Sequence, residues 1–350
     1  MEPITHFLTG ACIGRAGLNR TTAYATLMVT LAAEFPDVDV LWGFDGPVRA
    51  MASHRGFSHS LIGAPVDSLI VLASVYAFHR WRANRGKSPP LPPRWGRLFA
   101  FGILAVLSHI LLDFSNNYGV RPFMPFNWHW YSWDIVFVLE PVMLLALLLG
   151  LLLPALFGLV GSEIGARREM FRGRYSAFCA LLLVCALWWV RDYQHRKAIT
   201  LLNSGDYQGE VIKQTGAMPF AVNPFTWAGI VETENYYAEI PIDLSVTTAD
   251  PLAHAKLLYK PAETPASLAA KRSPLGRVYL DWARFPFVEN QRLQPPERGY
   301  DIRFRDLRFN NIAFQIPGQP RGRPPLSADV ILDDDLNVVL MRMGNREQKP

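Results

Sequence analysis

The chain has 350 residues, half of them hydrophobic and 19% charged, with a formal net charge of +5. That length admits two domains, and the apolar share is high for a soluble protein of ordinary charge content. Cys12, Cys179 and Cys185 show no CxxC spacing, which excludes a disulfide framework and a thiolate zinc site. The positive charge gathers in "HRWRANRGKSPPLPPRWGR" and "GARREMFRGR", between apolar segments, as in a membrane protein, and this argues against a nucleic-acid partner.

The start, "MEPITHFLTGACIGRAGL", lacks the pattern of a cleaved signal peptide. "HFLTGACIGRAGL" is too short to span a bilayer and "TTAYATLMVTLAAEF" is borderline, so the two are expected as a helical hairpin turning at "RAGLNRT" and halted by Pro36. Four segments are long or apolar enough to cross: Leu61 to His79, Leu98 to Phe114, Ile135 to Val160, and Ser176 to Arg191. With the two basic loops cytoplasmic, Leu61, Phe114, Ile135 and everything after Arg191 fall at the outer face.

Beyond Arg191 the apolar period changes to that of strands. "NPFTWAGIVETENYYAEI" reads as two strands around a polar turn, "GYDIRFRDLRF" as a strand with one slip that a bulge would explain, and "ADVILDDDLNVVLM" as a hairpin. The expected architecture is a membrane protein with an all-α transmembrane N-terminal domain (residues 1–191) and a linker (192–205). A smaller, mostly-β soluble domain follows (206–343), with a disordered tail (344–350). The expected location is the bacterial inner membrane, with the β domain periplasmic or extracellular and the oligomeric state open.

Residues capable of metal chemistry collect at one end of these segments: "THF" with His6, "EFPDVD" with Asp37 and Asp39, "SHRGFSHS" with His54, Arg55 and His59, "SHILLD" with His109 and Asp113, and "WHWYSWD" with His129 and Asp134. His109 and Asp113 stand four apart, so a helix projects both from one face, as two ligands of one metal require. Ser58 is expected to cap a helix starting at His59. Imidazole with carboxylate suits zinc, manganese or iron, and the lack of cysteine ligands favours a catalytic over a structural site. Singly, an interfacial histidine is usually an amphipathic side chain and an aspartate beside a turn a loop residue. Jointly, they converge on one face. A serine nucleophile at Ser58 or Ser60 lacks any G-x-S-x-G elbow, and Asp333 to Asp335 lack the spacing of a calcium loop.

A near-terminal "TH", then "PDVD", "HRGFSHS", "SHILLD" and "YSWD" between membrane segments resemble the YdjM-like family of bacterial inner-membrane proteins described as metal-dependent hydrolases. The likeness covers about the first 140 residues and implies a distant similarity to zinc phospholipase C, hence a phospholipase C-like helical core. By that resemblance His109 and Asp113 match an HxxxD ligand pair, and His6, Asp37 or Asp39, His54 and His59 are candidates for the other ligands. Asp134 is a further one. The HxxxE pair of those soluble enzymes has no counterpart in "WDIVFVLE", which implies one or two ions rather than three. The implied cofactor is a divalent metal, zinc foremost. Water activated by the metal would attack a phosphoester, with whichever of Asp37, Asp39 or Asp113 is not bound to metal as general base, and with Arg55 either steadying an anionic group or pairing with lipid headgroups or an acidic neighbour. A site at the outer face points to a lipid or lipid-linked substrate within the bilayer. The alternative is a non-enzymatic protein whose metal is structural or transported, beneath an interaction domain.

Overall fold

The computed structural model describes residues 1–163, 173–246, 254–310 and 326–350, so most of the second basic loop, 165–172, lies outside the described residues. The chain divides into two compact units, one of residues 1–38, 55–195 and 219–224, the other of residues 39–54, 196–218 and 225–350.

The first unit is helical: α1 (Pro3–Arg15), α2 (Ala25–Glu34), α4 (Gly63–Ala83), α5 (Trp95–Ser115), α6 (Pro141–Glu163) and the greater part of α7 (Arg174–Asn203), with α3 (Pro47–Ser53) belonging to the second unit. Among the described residues three helices, α5, α6 and α7, are long and apolar enough to cross a membrane, and α4 qualifies together with the bent segment before it. α1 and α2 form the expected hairpin, too short to cross at about 20 Å and about 15 Å.

Small residues set how closely these helices approach, as in many membrane bundles. A Cβ on Gly10 of α1 would lie 2.8 Å from the Ala33 Cβ, and one on Gly14 would lie 2.7 Å from the Thr26 Cα, so α1 rests directly on the backbone of α2. Across α4 and α5, Ser68 donates to the Phe99 carbonyl at 2.9 Å. Between α6 and α7, a Cβ on Gly150 would come within 2.6 Å of Ala180, while Ser176 donates to the Gly150 carbonyl at 2.9 Å. Met28, Val29, Ala64, Leu98, Ala105 and Val106 form one buried core joining α2, α4 and α5. A second core joins Leu8 and Cys12 of α1 to Leu112, Met143, Leu147, Ala177 and Val184.

The third span begins later than its hydropathy indicates. Residues 135–140 are not helical: Val136 bridges Asn116, and Pro141, with no N–H to satisfy, opens α6. Glu140 beside it is fully buried and accepts from Arg191 at 2.8 Å, and Arg191 also donates to the Phe220 carbonyl at 3.1 Å. The same Glu140 accepts from the Val222 N–H, so this ion pair fastens residues 219–224 into the helical unit.

Among the described residues the second unit holds two sheets in simple meander order. β1 (Gln214–Pro219), β2 (Thr226–Glu232), β3 (Tyr236–Asp243) and β4 (Lys256–Tyr259) make one; β5 (Pro286–Arg292), β6 (Tyr300–Asp306), β7 (Ala328–Leu332), β8 (Val338–Met343) and β9 (Arg346–Gln348) make the other. Between them lie α8 (Pro265–Arg272), opened by a Thr264/Ser267 capping box, and α9 (Pro274–Trp282), capped by Ser273. The first sheet packs Trp227, Val231, Tyr236 and Ile240 against Ala198 and Leu202.

Several expectations are revised. Residues 192–203 continue α7 as helix instead of forming a linker, because Ala198 and Leu202 have a sheet to bury against. The tail is ordered in part, β9 pairing with β8. The slip in "GYDIRFRDLRF" is a capped turn, Asp306 accepting from the Arg308 N–H at 2.9 Å, whereas the register shift falls at Ile331/Leu332. Residues 39–54, expected within the membrane domain, belong to the second unit, where α3 packs on α9 and β9.

Candidate metal centre

His109 and Asp113 occupy the last two turns of α5. His59 ends a one-turn 3-10 helix, Phe57–His59, and Asp37 lies in the 3-10 run Phe35–Asp45 that follows α2 once Pro36 has ended it. These elements bring one ligand atom from each of Asp37, His59, His109 and Asp113 within 4.8 Å of one another, a group that could hold a metal ion. His59 Nε2 lies 3.5 Å from Asp37 and 3.4 Å from Asp113, and His109 Nε2 lies 3.6 Å from each. Three of the side chains are wholly buried, while Asp37 keeps 23% exposure, so solvent reaches the group on its side.

Hydrogen bonding fixes the imidazole tautomers. His109 Nδ1 stands 2.7 Å from the Ala33 carbonyl, which can only accept, so Nδ1 carries the proton and Nε2 a lone pair. His59 Nδ1 stands 3.1 Å from Ser58 Oγ, and the Ser58 hydroxyl gives its own proton to the Pro36 carbonyl at 2.8 Å. Ser58 therefore accepts from His59, again leaving Nε2 with a lone pair. The two Nε2 atoms face each other 3.0 Å apart. Two lone pairs at that distance repel, and between two carboxylates they make a pocket for a cation. Tetrahedral ligands at about 2.0–2.1 Å from zinc stand roughly 3.4 Å apart, close to the separations seen here. Nitrogen and oxygen donors without thiolate suit zinc, manganese or iron.

Asp113 is the hub of the surroundings. Arg55, buried and with a left-handed backbone (φ +49°), reaches one Asp113 oxygen through Nη2 at 2.9 Å and the other through Nε at 2.9 Å. Its remaining nitrogen donates to the Gly119 carbonyl at 2.9 Å, and its plane covers the Tyr118 ring. His6 stacks on His109 with centroids 3.7 Å apart and brings Nε2 to 3.3 Å from Asp113; the Met1 amino group also contacts that carboxylate. The Arg55 guanidinium is thus spent on an acidic neighbour rather than held open toward an anion.

Other candidates are placed elsewhere. His54 and Asp39 pair with each other at 3.3 Å in the second unit, outside the group of four. Asp134 is buried at a positive φ of 59° and is also outside that group, and His129 is exposed. Ser58 does not cap a helix: α4 starts at Gly63, whose N–H is accepted by Ser60 at 2.9 Å. In the β7–β8 turn, hydrogen bonds from Asn337 hold the Asp333 carboxyl below the usual range and Asp334 pairs with Arg292, as in a solvated turn. Sequence reasoning missed the orienting partners Ser58, Pro36 and Ala33. Two of these act through main-chain carbonyls, which carry no residue-type signal.

The family model of the YdjM inner membrane protein matches residues 1–198, the stretch that carries every member of the group of four. The chain is similar to "Uncharacterized protein YfhP" of Bacillus subtilis (strain 168), 26% identical over 149 residues, which are 40% of this chain and 42% of that relative. No solved structure matches. With the family model covering more than half its length, the chain belongs to the YdjM inner membrane protein family.

Proposed function

We propose that the protein is a membrane-bound, metal-dependent hydrolase acting on a phosphoester of a lipid or lipid-linked substrate, with its helical half laid out like zinc phospholipase C and its β-rich unit outside the cytoplasm. The observation that carries this reading is the pair of Nε2 lone pairs facing each other at 3.0 Å between two carboxylates. His59, His109, Asp113 and Asp37 hold a divalent cation, zinc foremost. When bound, such a cation polarises a phosphoryl oxygen and lowers the pKa of water toward neutrality.

The chain's own residues supply the rest. Ala33 and Ser58 orient the two imidazoles, and partners of this kind raise ligand basicity. Arg55 fixes both oxygens of Asp113 and offsets one of the two negative charges that the four side chains gather before a cation enters. Asp37, the partly exposed carboxylate, offers one oxygen to the cation and would accept a proton from incoming water on the other. A transport role is less favoured because the ligands gather at one end of α5 instead of along a path through it.

The test uses full-length protein in mild detergent with zinc, assayed for phosphate-ester cleavage on phosphatidylethanolamine and phosphatidylglycerol and on a soluble chromogenic phosphodiester. Cleavage that falls at least 100-fold in His109→Ala and Asp37→Asn supports the reading. Metal-loaded, folded protein without turnover on any of these overturns it.

A further inference from the structure

The loop after α5, "RPFMPFNWHW" from Arg121 to Trp130, is built unlike an ordinary surface loop. Its base is pinned by a bridge between Val120 and Tyr131 and by Arg121, which is buried and lies over the Trp130 ring with its guanidinium 4.5 Å from the centroid. Its tip is apolar and unprotected: Phe126 is 82% exposed, Trp128 54% and Phe123 46%. The Leu61 N–H donates to the Pro122 carbonyl at 2.9 Å, so exposed Phe57, Leu61 and Ile62 join the same rim. A loop pinned at its base that displays aromatic side chains to the outside has no reason to do so in water.

The rim adjoins the metal group on two sides. His59 lies between Phe57 and Leu61, and the Gly119 carbonyl that receives Arg55 lies two residues before Arg121. It is also continuous with the end of the membrane spans. α5 ends at Ser115, and Trp133 of the same connection stands against Trp188 and donates to Asp192 at 2.9 Å near the exposed Trp189 and Tyr193 of α7. Trp and Tyr at such a level mark the headgroup layer of a bilayer.

We infer that residues 121–130, with Phe57, Leu61 and Ile62, form an interfacial lip that dips into the acyl boundary of the bilayer beside the metal group, so that a membrane lipid presents its phosphate to Asp37 and the two histidines while its chains stay on the lip. The inference rests on the proposed hydrolase reading for the phosphate, but the insertion of the lip stands apart from it. Mixed Phe, Trp and Leu with Asn127 and His129 between them suit the interface better than the hydrocarbon centre. The occupant is bilayer lipid, not a protein partner.

The experiment attaches an environment-sensitive NBD dye to Phe126→Cys in a Cys12→Ala, Cys179→Ala, Cys185→Ala background, reconstituted in vesicles of phosphatidylethanolamine and phosphatidylglycerol. The expected result is a blue-shifted dye quenched by lipid carrying a doxyl group near the headgroup end of the chain. A water-like spectrum overturns the inference, and so does shielding from water without doxyl quenching, which would mean a second copy or another protein covers the lip. In parallel, Phe126→Ser/Trp128→Ser is expected to lower cleavage of vesicle lipid at least 10-fold and leave a soluble phosphodiester unchanged. Equal loss on both substrates, or loss on neither, contradicts the role in presentation. A quenched dye with no cleavage of either substrate would retain the lip and remove the hydrolase.

Discussion

At the scale of single residues, the centre depends on what stands behind its ligands. Ser58→Ala removes the acceptor of the His59 Nδ1 proton and touches no ligand atom. Changes of this kind typically cost 10–100-fold in metal affinity, and a zinc titration against a competing chelator should find a loss in that range with the fold intact. Unchanged affinity would mean that Ser58 does not set the His59 tautomer. The residue types were legible before the fold: His59, His109, Asp113 and Asp37 all stand in stretches whose chemistry draws attention. How Asp37 and Asp39 divide was not legible. One residue separates them, and the 3-10 path after Pro36 turns Asp37 toward the histidines while Asp39 meets His54. That division arises from backbone geometry, which composition does not encode.

At the scale of elements, the site relies on α1 lying flat on α2, since a Cβ on Gly10 would intrude on the side chain of Ala33, the residue whose carbonyl orients His109. Gly10→Val is expected to cost about 1–3 kcal/mol through overpacking and to weaken metal binding as well; a thermal melt and a metal titration on the same preparation would check both. Loss of stability with undiminished metal binding would separate the hairpin from the site. The buried Glu140–Arg191 pair gives a second check. Arg191→Met alone should destabilise by about 3–5 kcal/mol because it strands a carboxylate, whereas Glu140→Leu/Arg191→Met should recover most of that loss. The spans and two β-hairpins were readable because their apolar periods are long and regular. The later start of α6, the helices α8 and α9, and strands β1, β4, β5 and β9 were not, since short elements are decided by a cap such as Thr264 or by a neighbouring strand.

At the scale of the whole molecule, one sequence half supplies the membrane helices and the metal group, and most of the other folds as two meander sheets, with residues 39–54 crossing from the first half into the second unit. The basic stretch at 79–97 predicts that the β-rich unit faces away from the cytoplasm. Asp335→Cys in intact cells, with the three native cysteines replaced by alanine, should then react with a membrane-impermeant maleimide; protection until the cells are lysed would reverse the orientation. The central claim is that Asp37, His59, His109 and Asp113 bind a metal, and elemental mass spectrometry on the purified natural chain beside His109→Ala and His54→Ala tests it most directly. The account predicts stoichiometric zinc, manganese or iron in the natural protein and in His54→Ala, and its loss from His109→Ala. Folded natural protein without metal, or equal loss from both variants, would contradict it.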